Sequence, residues 1–220
     1  MERDPQPPGV PWESDPRGST PGADPRRLVR LACTFYGALF VAALLWRTGF
    51  GGEPLLYHDP GARAVGIQPL QDLAAGAAAG LGLVVLSRLW THASARAAAL
   101  GAELRALLGV LPTPTVLLLA LLSGVAEEAF FRGALQPVVG LIPASLLFGL
   151  AHFVPRRGLV AWAPSAALAG LLLGALFQWT GNLLAPALAH ALLNALNLHW
   201  LTRPAPPAAL SRRGGRAPPF

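Results

Sequence analysis

The chain has 220 residues, 53% of them apolar and only 13% charged, with a mean hydropathy of +0.48 and a formal net charge of +6. A soluble domain carries about a quarter charged residues, whereas here the only carboxylates between Leu73 and Trp200 are Glu103, Glu127 and Glu128; an ordinary water-soluble fold is excluded. The positive charge does not indicate nucleic acid either, because all the basic residues are arginines, placed singly or in pairs among apolar stretches with no aromatic-interleaved basic surface.

Residues 1–27 are rich in Pro, Gly, Asp, Glu and Arg and lack apolar periodicity, so a disordered tail is expected. It is too long and too acidic for the n-region of a signal peptide, and the first apolar stretch, 28–46, is expected to stay attached as a membrane span. Cys33, the single cysteine, lies in it; no intrachain disulfide is possible, and a small buried thiol is the expectation. A loop with Asp59-Pro60-Gly61 follows. The second span covers 70–90 and contains Gly76 and Gly80, a small-xxx-small spacing that lets helix backbones approach closely. Residues 92–110 mix Ala and Leu with Arg96, Glu103 and Arg105, which predicts an amphipathic interfacial helix.

The third span starts near Pro112 or Pro114, which suit a helix N-terminus, and runs to about 139. The fourth, 141–153, is short for a crossing, which needs about 20 residues. The fifth covers 159–179 and the sixth 183–201; residues 203–220 read as a disordered basic tail. The expected fold is therefore all-α: a polytopic transmembrane helical bundle of about six spans plus one interfacial helix, with a single domain over 28–202. Arginines before span one, between spans two and three, between four and five and after six all fall on one side of such a bundle, which predicts that both termini are cytoplasmic.

A charge inside hydrocarbon costs at least ~2.5 kcal/mol on insertion scales, and three segments bear that cost. In Glu127-Glu128-Ala-Phe-Phe-Arg132, the four-residue spacing puts Glu128 and Arg132 on one helix face, where they can pair. Glu127 is turned about 100° away, so one carboxylate is braced and the other is free to face a cavity. Two adjacent carboxylates in low dielectric disfavour double ionisation, which suits one of them to proton transfer. Phe148-Gly-Leu-Ala-His152 brings a histidine to a helix end. His190-Ala-Leu-Leu-Asn194, with Asn197 beyond it, places a polar stripe on the last span, which must face protein or a wet cavity. A carboxylate, two histidines and an amide on three helices could converge to supply a base for water and donors for a developing oxyanion. No G-x-S-x-G is present and Cys33 is remote in sequence, so water is the expected nucleophile. Counting from Pro114, Glu127 lies 13 residues in, ~20 Å along an ideal helix, which predicts a cavity opening toward the outer face.

The three motifs, in this order on successive apolar segments, resemble the CPBP family of membrane proteases, which comprises the CAAX prenyl endopeptidases and the bacteriocin-processing (Abi) group. The resemblance covers about 112–202. It implies that Glu127 and His152 activate the hydrolytic water, that His190 and Asn194 hold the oxyanion, that Glu128 and Arg132 brace the site and contact substrate, and that Phe148 packs behind His152. It implies a membrane-associated protein or peptide as substrate (a CAAX-like tail, a leader peptide or a C-terminal sorting anchor). The Arg-, Ala- and Gly-rich composition suits a high-GC bacterium, so the expected place is a bacterial inner membrane. The resemblance admits both a glutamate mechanism without a metal and one in which Glu127, His152 and His190 are zinc ligands with an open fourth position. The rival expectations are a non-catalytic scaffold or immunity factor on the same fold, and a small transporter using the glutamates as proton sites. No clear inverted repeat supports the transporter.

Overall fold

A computed structural model of the chain describes residues 23–50 and 54–204, so the expected tails at 1–27 and 203–220 lie almost wholly outside the described residues. The exceptions run against the expected boundary at one end: the first helix, α1, spans Pro25–Phe50 and starts three residues inside the predicted tail. It is followed by α2 (Pro60–Val65), α3 (Pro69–Ala93), α4 (Ala95–Leu108), α5 (Thr113–Val139), α6 (Leu141–Ala151), α7 (Trp162–Thr180) and α8 (Leu184–Thr202). Among the described residues there are no strands, only an isolated antiparallel bridge between Tyr57 and Asn182. The fold is an all-α polytopic bundle.

Four helices, α1, α3, α5 and α7, are long and apolar enough to cross a membrane. α6 has 11 residues, about 16 Å of helix against a hydrocarbon core of about 30 Å. α8 has the length of a span at 19 residues, but His190, Asn194, Asn197 and His199 interrupt its apolar face. The six helices thus sit where the six spans were expected, four of them apolar enough to cross by length and composition.

Burial separates the roles of these helices. In the most apolar stretch of α1 only 11% is buried, against 56% in α5, so α5 is the central element and α1 presents most of its surface outward. Cys33 follows α1 outward: it is exposed, not the buried thiol expected. The α1 helix packs on α5, and α8 packs on both α3 and α5. The α3–α8 contact depends on Gly76 and Gly80. A Cβ at Gly76 would lie 2.7 Å from the Ala185 carbonyl oxygen and one at Gly80 2.9 Å from that of Ala189, so the two backbones touch along this seam. Valine at Gly80 must push α8 away and is expected to cost about 1–3 kcal/mol by overpacking. Thermal unfolding in detergent checks this; an unchanged Tm would mean that the seam is not tight.

One end of the bundle is locked by a buried polar network. Asp72 accepts from the Gln68 N–H (2.8 Å) and from Asn182 Nδ2 (2.9 Å), joining the start of α3 to the α7–α8 turn. At the same end the loop expected at Asp59-Pro60-Gly61 forms α2. Asp59 caps it by accepting from the Ala62 N–H (2.8 Å), with Pro60 in the first helical turn, where a missing N–H costs nothing. His58 first, then this N–H, holds the exposed Asp59 carboxyl below the usual carboxylate range. At the opposite end α4 matches the predicted interfacial helix. It buries Ala97 and Leu100 against α3 and α8 and leaves Arg96 and Arg105 exposed.

Candidate active site

Immediately after Glu128, α5 changes winding: Ala129–Leu135 is π-helical. Such widened turns appear mostly at functional sites. This one carries Arg132, which reaches back to Glu128 Oε1 (2.9 Å) and forward to the Gly170 carbonyl of α7 (3.1 Å). Both charged groups are almost completely enclosed, Glu128 at 0% and Arg132 at 1% exposure. Gly170 permits the approach, since a Cβ there would lie 3.3 Å from the guanidinium and 3.1 Å from the Phe148 ring. The Arg132 guanidinium also stacks over Phe148, 4.4 Å from the ring centroid.

The second use of Glu128 is to orient a histidine. Its Oε1 is 2.7 Å from His190 Nδ1, so Nδ1–H donates to the carboxylate and Nε2 is left as the working face of that ring. His190 is itself buried on α8. His152, the residue that ends α6, is fixed in the same way from the other side. Its Nδ1 lies 2.8 Å from the Phe148 carbonyl oxygen; a carbonyl only accepts, so Nδ1 carries the proton and Nε2 is the free basic nitrogen. Phe148 packs against both imidazoles, with ring centroids 4.6 Å from His152 and 5.8 Å from His190.

Glu127 faces Nε2 of both rings. Its Oε2 lies 3.7 Å from His152 Nε2 and 4.0 Å from His190 Nε2. Those distances are too long for a direct hydrogen bond and suit a small molecule held between the groups. Among the described residues this oxygen is buried and has no hydrogen-bond partner. Asn194, one turn after His190, donates through Nδ2 to Ser123 Oγ on α5 (2.8 Å); its second amide hydrogen is left for another acceptor. The structure therefore brings Glu127, Glu128, Arg132, Phe148, His152, His190 and Asn194 into one cluster on α5, α6 and α8. Ser123 and Tyr36, which the sequence does not single out, join it. Tyr36, on α1, lies beside Glu127 and Ser123.

The expected zinc ligands, Glu127, His152 and His190, are neighbours, but no group of three or more His, Cys, Asp or Glu side chains among the described residues meets the geometry of a metal site. Asn197 is not part of the cluster: it accepts from Ser87 Oγ of α3 (3.2 Å), an interhelical bond near the other end of α8.

Beside the cluster lies a cavity of about 550 Å³ between α3, α4, α7 and α8. His152, His190 and Asn194 line its inner end, and Arg88, Leu104 and Trp200 its far end. The cavity runs toward the ends of α3 and α8 that carry Arg88 and Trp200, not toward the end closed by Asp72 and Asn182. The α6 helix stops at Ala151, and His152, which follows it, lies at the inner end of this cavity. The far end is framed by Arg88, which donates to the Leu196 carbonyl (3.2 Å) and stacks 4.1 Å over Trp200.

No solved structure matches this chain. A protein of Bacillus subtilis (strain 168), the uncharacterised YpbD, is 41% identical over 85 residues, which are 38% of this chain and 43% of that protein. The chain therefore matches less than half the length of this relative. Residues 109–196, the segment that holds every residue of the cluster except Tyr36, match the model of the Rce1-like family, the type II CAAX prenyl endopeptidases.

Proposed function

We propose that this chain is an intramembrane endopeptidase that hydrolyses a peptide bond of a membrane-associated protein or peptide, with water as the nucleophile. The observation that carries this reading is Glu127 Oε2, buried, without a hydrogen-bond partner, and facing His152 Nε2 at 3.7 Å. An unsatisfied buried carboxylate oxygen is costly unless something else takes its bond, and a water placed between these two atoms would satisfy both.

In that arrangement Glu127 and His152 take a proton from the water as its oxygen attacks the scissile carbonyl carbon. The carbonyl π bond opens and its electron pair becomes the oxyanion. Asn194 Nδ2–H and His190 Nε2–H are the donors for it, the His190 ring then being doubly protonated with Glu128 as its counter-ion. Collapse of the tetrahedral intermediate breaks the C–N bond, and the proton held by Glu127 or His152 goes to the departing amine. The protein groups carry every one of these steps. The substrate enters from the 550 Å³ cavity, and the name of the matching family makes a CAAX-like tail the first candidate, followed by a leader peptide or a sorting anchor. The arginine pattern favours an inner-membrane location with both termini in the cytoplasm, and the cavity would then open on the cytoplasmic side.

The test is a proteome-wide comparison of N- and C-termini in cells making the native protein or Glu127→Gln at equal membrane abundance. One or a few membrane-associated proteins are expected to keep an unprocessed terminus in the variant alone. Identical termini in the two, with a phenotype seen only on deletion, would favour a scaffold and sink the protease.

A further inference from the structure

We propose that Arg88, seconded by Arg105, binds the free C-terminal carboxylate of the substrate, so that cleavage is directed to a carboxyl end; this rests on the endopeptidase reading above and selects among its substrates. The two arginines lie on α3 and α4, outside the segment matched to the family. Both reach across to the end of α8. Arg88 lines the cavity, donates to the Leu196 carbonyl (3.2 Å) and lies 4.1 Å over the Trp200 ring. Arg105 donates to the Trp200 carbonyl (3.2 Å) and lies 5.6 Å from the centroid of the same ring. Two cations are thus held at one indole, and neither has a carboxylate partner among the described residues. Glu103, the only carboxylate of α4, is taken by Arg156 (2.8 Å), and Asp72 is at the other end of α3. Each bond to a carbonyl uses one N–H of the five that a guanidinium carries, so donors remain for an anion.

The spacing sets the length of the tail. Trp200 is six positions after Asn194 and ten after His190 on α8, about 9 and 15 Å of helix. An extended chain advances about 3.3–3.6 Å per residue, so about three or four residues fit between the scissile carbonyl and Arg88. The wall between them carries Leu83, Leu86, Leu104 and Leu193. That wall suits aliphatic side chains in the tail and makes an unpaired carboxylate at its end costly; the guanidinium removes that cost. Asn197 lines the same wall between Asn194 and Trp200. Its Oδ1 is taken by Ser87 (3.2 Å), which leaves its Nδ2 hydrogens for a backbone carbonyl of the tail. The rest of the substrate has a separate way out. An apolar groove between α3 and α7 shares Leu83, Leu86, Leu172 and Leu173 with the cavity, and Leu86 and Leu172 are exposed on the outside of the bundle. A leader peptide, whose scissile bond lies far from any free carboxylate, makes no use of Arg88.

The experiment uses the full chain in phosphatidylcholine vesicles: wild type, Arg88→Met, Arg88→Lys, Arg105→Met and Glu127→Gln. The probe is an internally quenched peptide spanning the terminus that distinguishes wild-type from Glu127→Gln cells. It is made with a free C-terminal carboxylate, with a C-terminal amide, and with the tail lengthened by several residues. Wild type is expected to cleave the acid with a kcat/KM about 10- to 100-fold above the amide, the range for a hydrogen bond to a charged group, and to cleave the lengthened peptide no better than the amide. Arg88→Met is expected to abolish the difference between acid and amide. Arg88→Lys should recover part of it, because lysine keeps the charge and loses the fork, and Arg105→Met should reduce it by a smaller factor. The wild-type comparison stands even should Arg88→Met not fold. Equal cleavage of acid and amide by wild type, beside an inactive Glu127→Gln, overturns the proposal and leaves the protease intact. So does an Arg88→Met that slows both peptides by the same factor, the mark of a contact that only joins α3 to α8, and so does a processed terminus that proves to be N-terminal. An Arg88→Met effect seen only in vesicles containing phosphatidylglycerol, and equal for both peptides, assigns the arginines to a lipid headgroup and overturns it too. If no terminus separates the cells, or if Glu127→Gln cleaves like wild type, the endopeptidase reading has failed and this proposal falls with it.

Discussion

Glu127→Gln is expected to leave a folded, membrane-inserted protein whose hydrolytic rate is lower by about 10²- to 10⁴-fold, the usual contribution of a positioned acid–base group. The fold should survive because of what Glu127 does not do. Its Oε2 has no hydrogen-bond partner among the described residues, and the Arg132 pair is made to Glu128. Replacing one oxygen by an amide nitrogen therefore removes no structural bond. Asn194→Ala should cost about 10²–10³ in kcat as an oxyanion donor, with processing lost in the same substrates. Single-turnover cleavage of the quenched peptide, with Tm as the control for folding, measures both. A chelation arm decides the metal question by activity: full rate after exhaustive chelation leaves the protein groups as the whole machinery. A loss restored by zinc would assign Glu127, His152 and His190 to a metal.

The three motifs are readable because of the medium. Glutamate, arginine, histidine and asparagine in apolar segments need a partner or a task, so Glu127, Glu128, Arg132, His152, His190 and Asn194 stand out against a background of Leu, Ala and Gly. The Glu128–Arg132 pairing follows from a four-residue spacing, and the close α3–α8 seam from Gly76 and Gly80. Tyr36 is not readable, because a tyrosine in a span is ordinary and only the docking of α1 on α5 brings it beside Glu127. Ser123 is hidden likewise, since a serine in a helix can satisfy itself on its own backbone and here does so in part. The π-helical turn carries no proline or glycine signature at its start, and a depth count from Pro114 assumes a regular helix. That count fixes how far along α5 Glu127 lies but not which side is open. The cavity's walls come from α3, α4, α7 and α8, which no count along α5 can reveal. Asp59 before Pro60 is a cap signal that a loop reading of Asp59-Pro60-Gly61 passes over.

Arg132→Met should destabilise the protein by about 3–5 kcal/mol, the cost of leaving a buried charge without its partner. Glu128 would keep only the His190 contact (2.7 Å) in a place with no exposure to solvent, and the Gly170 carbonyl would lose its donor. Glu128→Gln should cost a similar amount by stranding the guanidinium. The informative protein is the double variant, Glu128→Gln with Arg132→Met. With both charges gone, nothing is stranded, and much of the lost stability should return, since a buried ion pair replaced by uncharged side chains is often near neutral. The two residues are in contact, so the deviation from additivity measures their coupling directly in a double-mutant cycle. Activity should behave differently. His190 loses the carboxylate that orients its ring in the double variant as well, so kcat should stay low even where stability recovers. Denaturant unfolding in mixed micelles, read beside peptide cleavage, separates the two quantities. Stability and activity recovering together would mean that Glu128 serves the fold alone and that His190 needs no counter-ion to do its work.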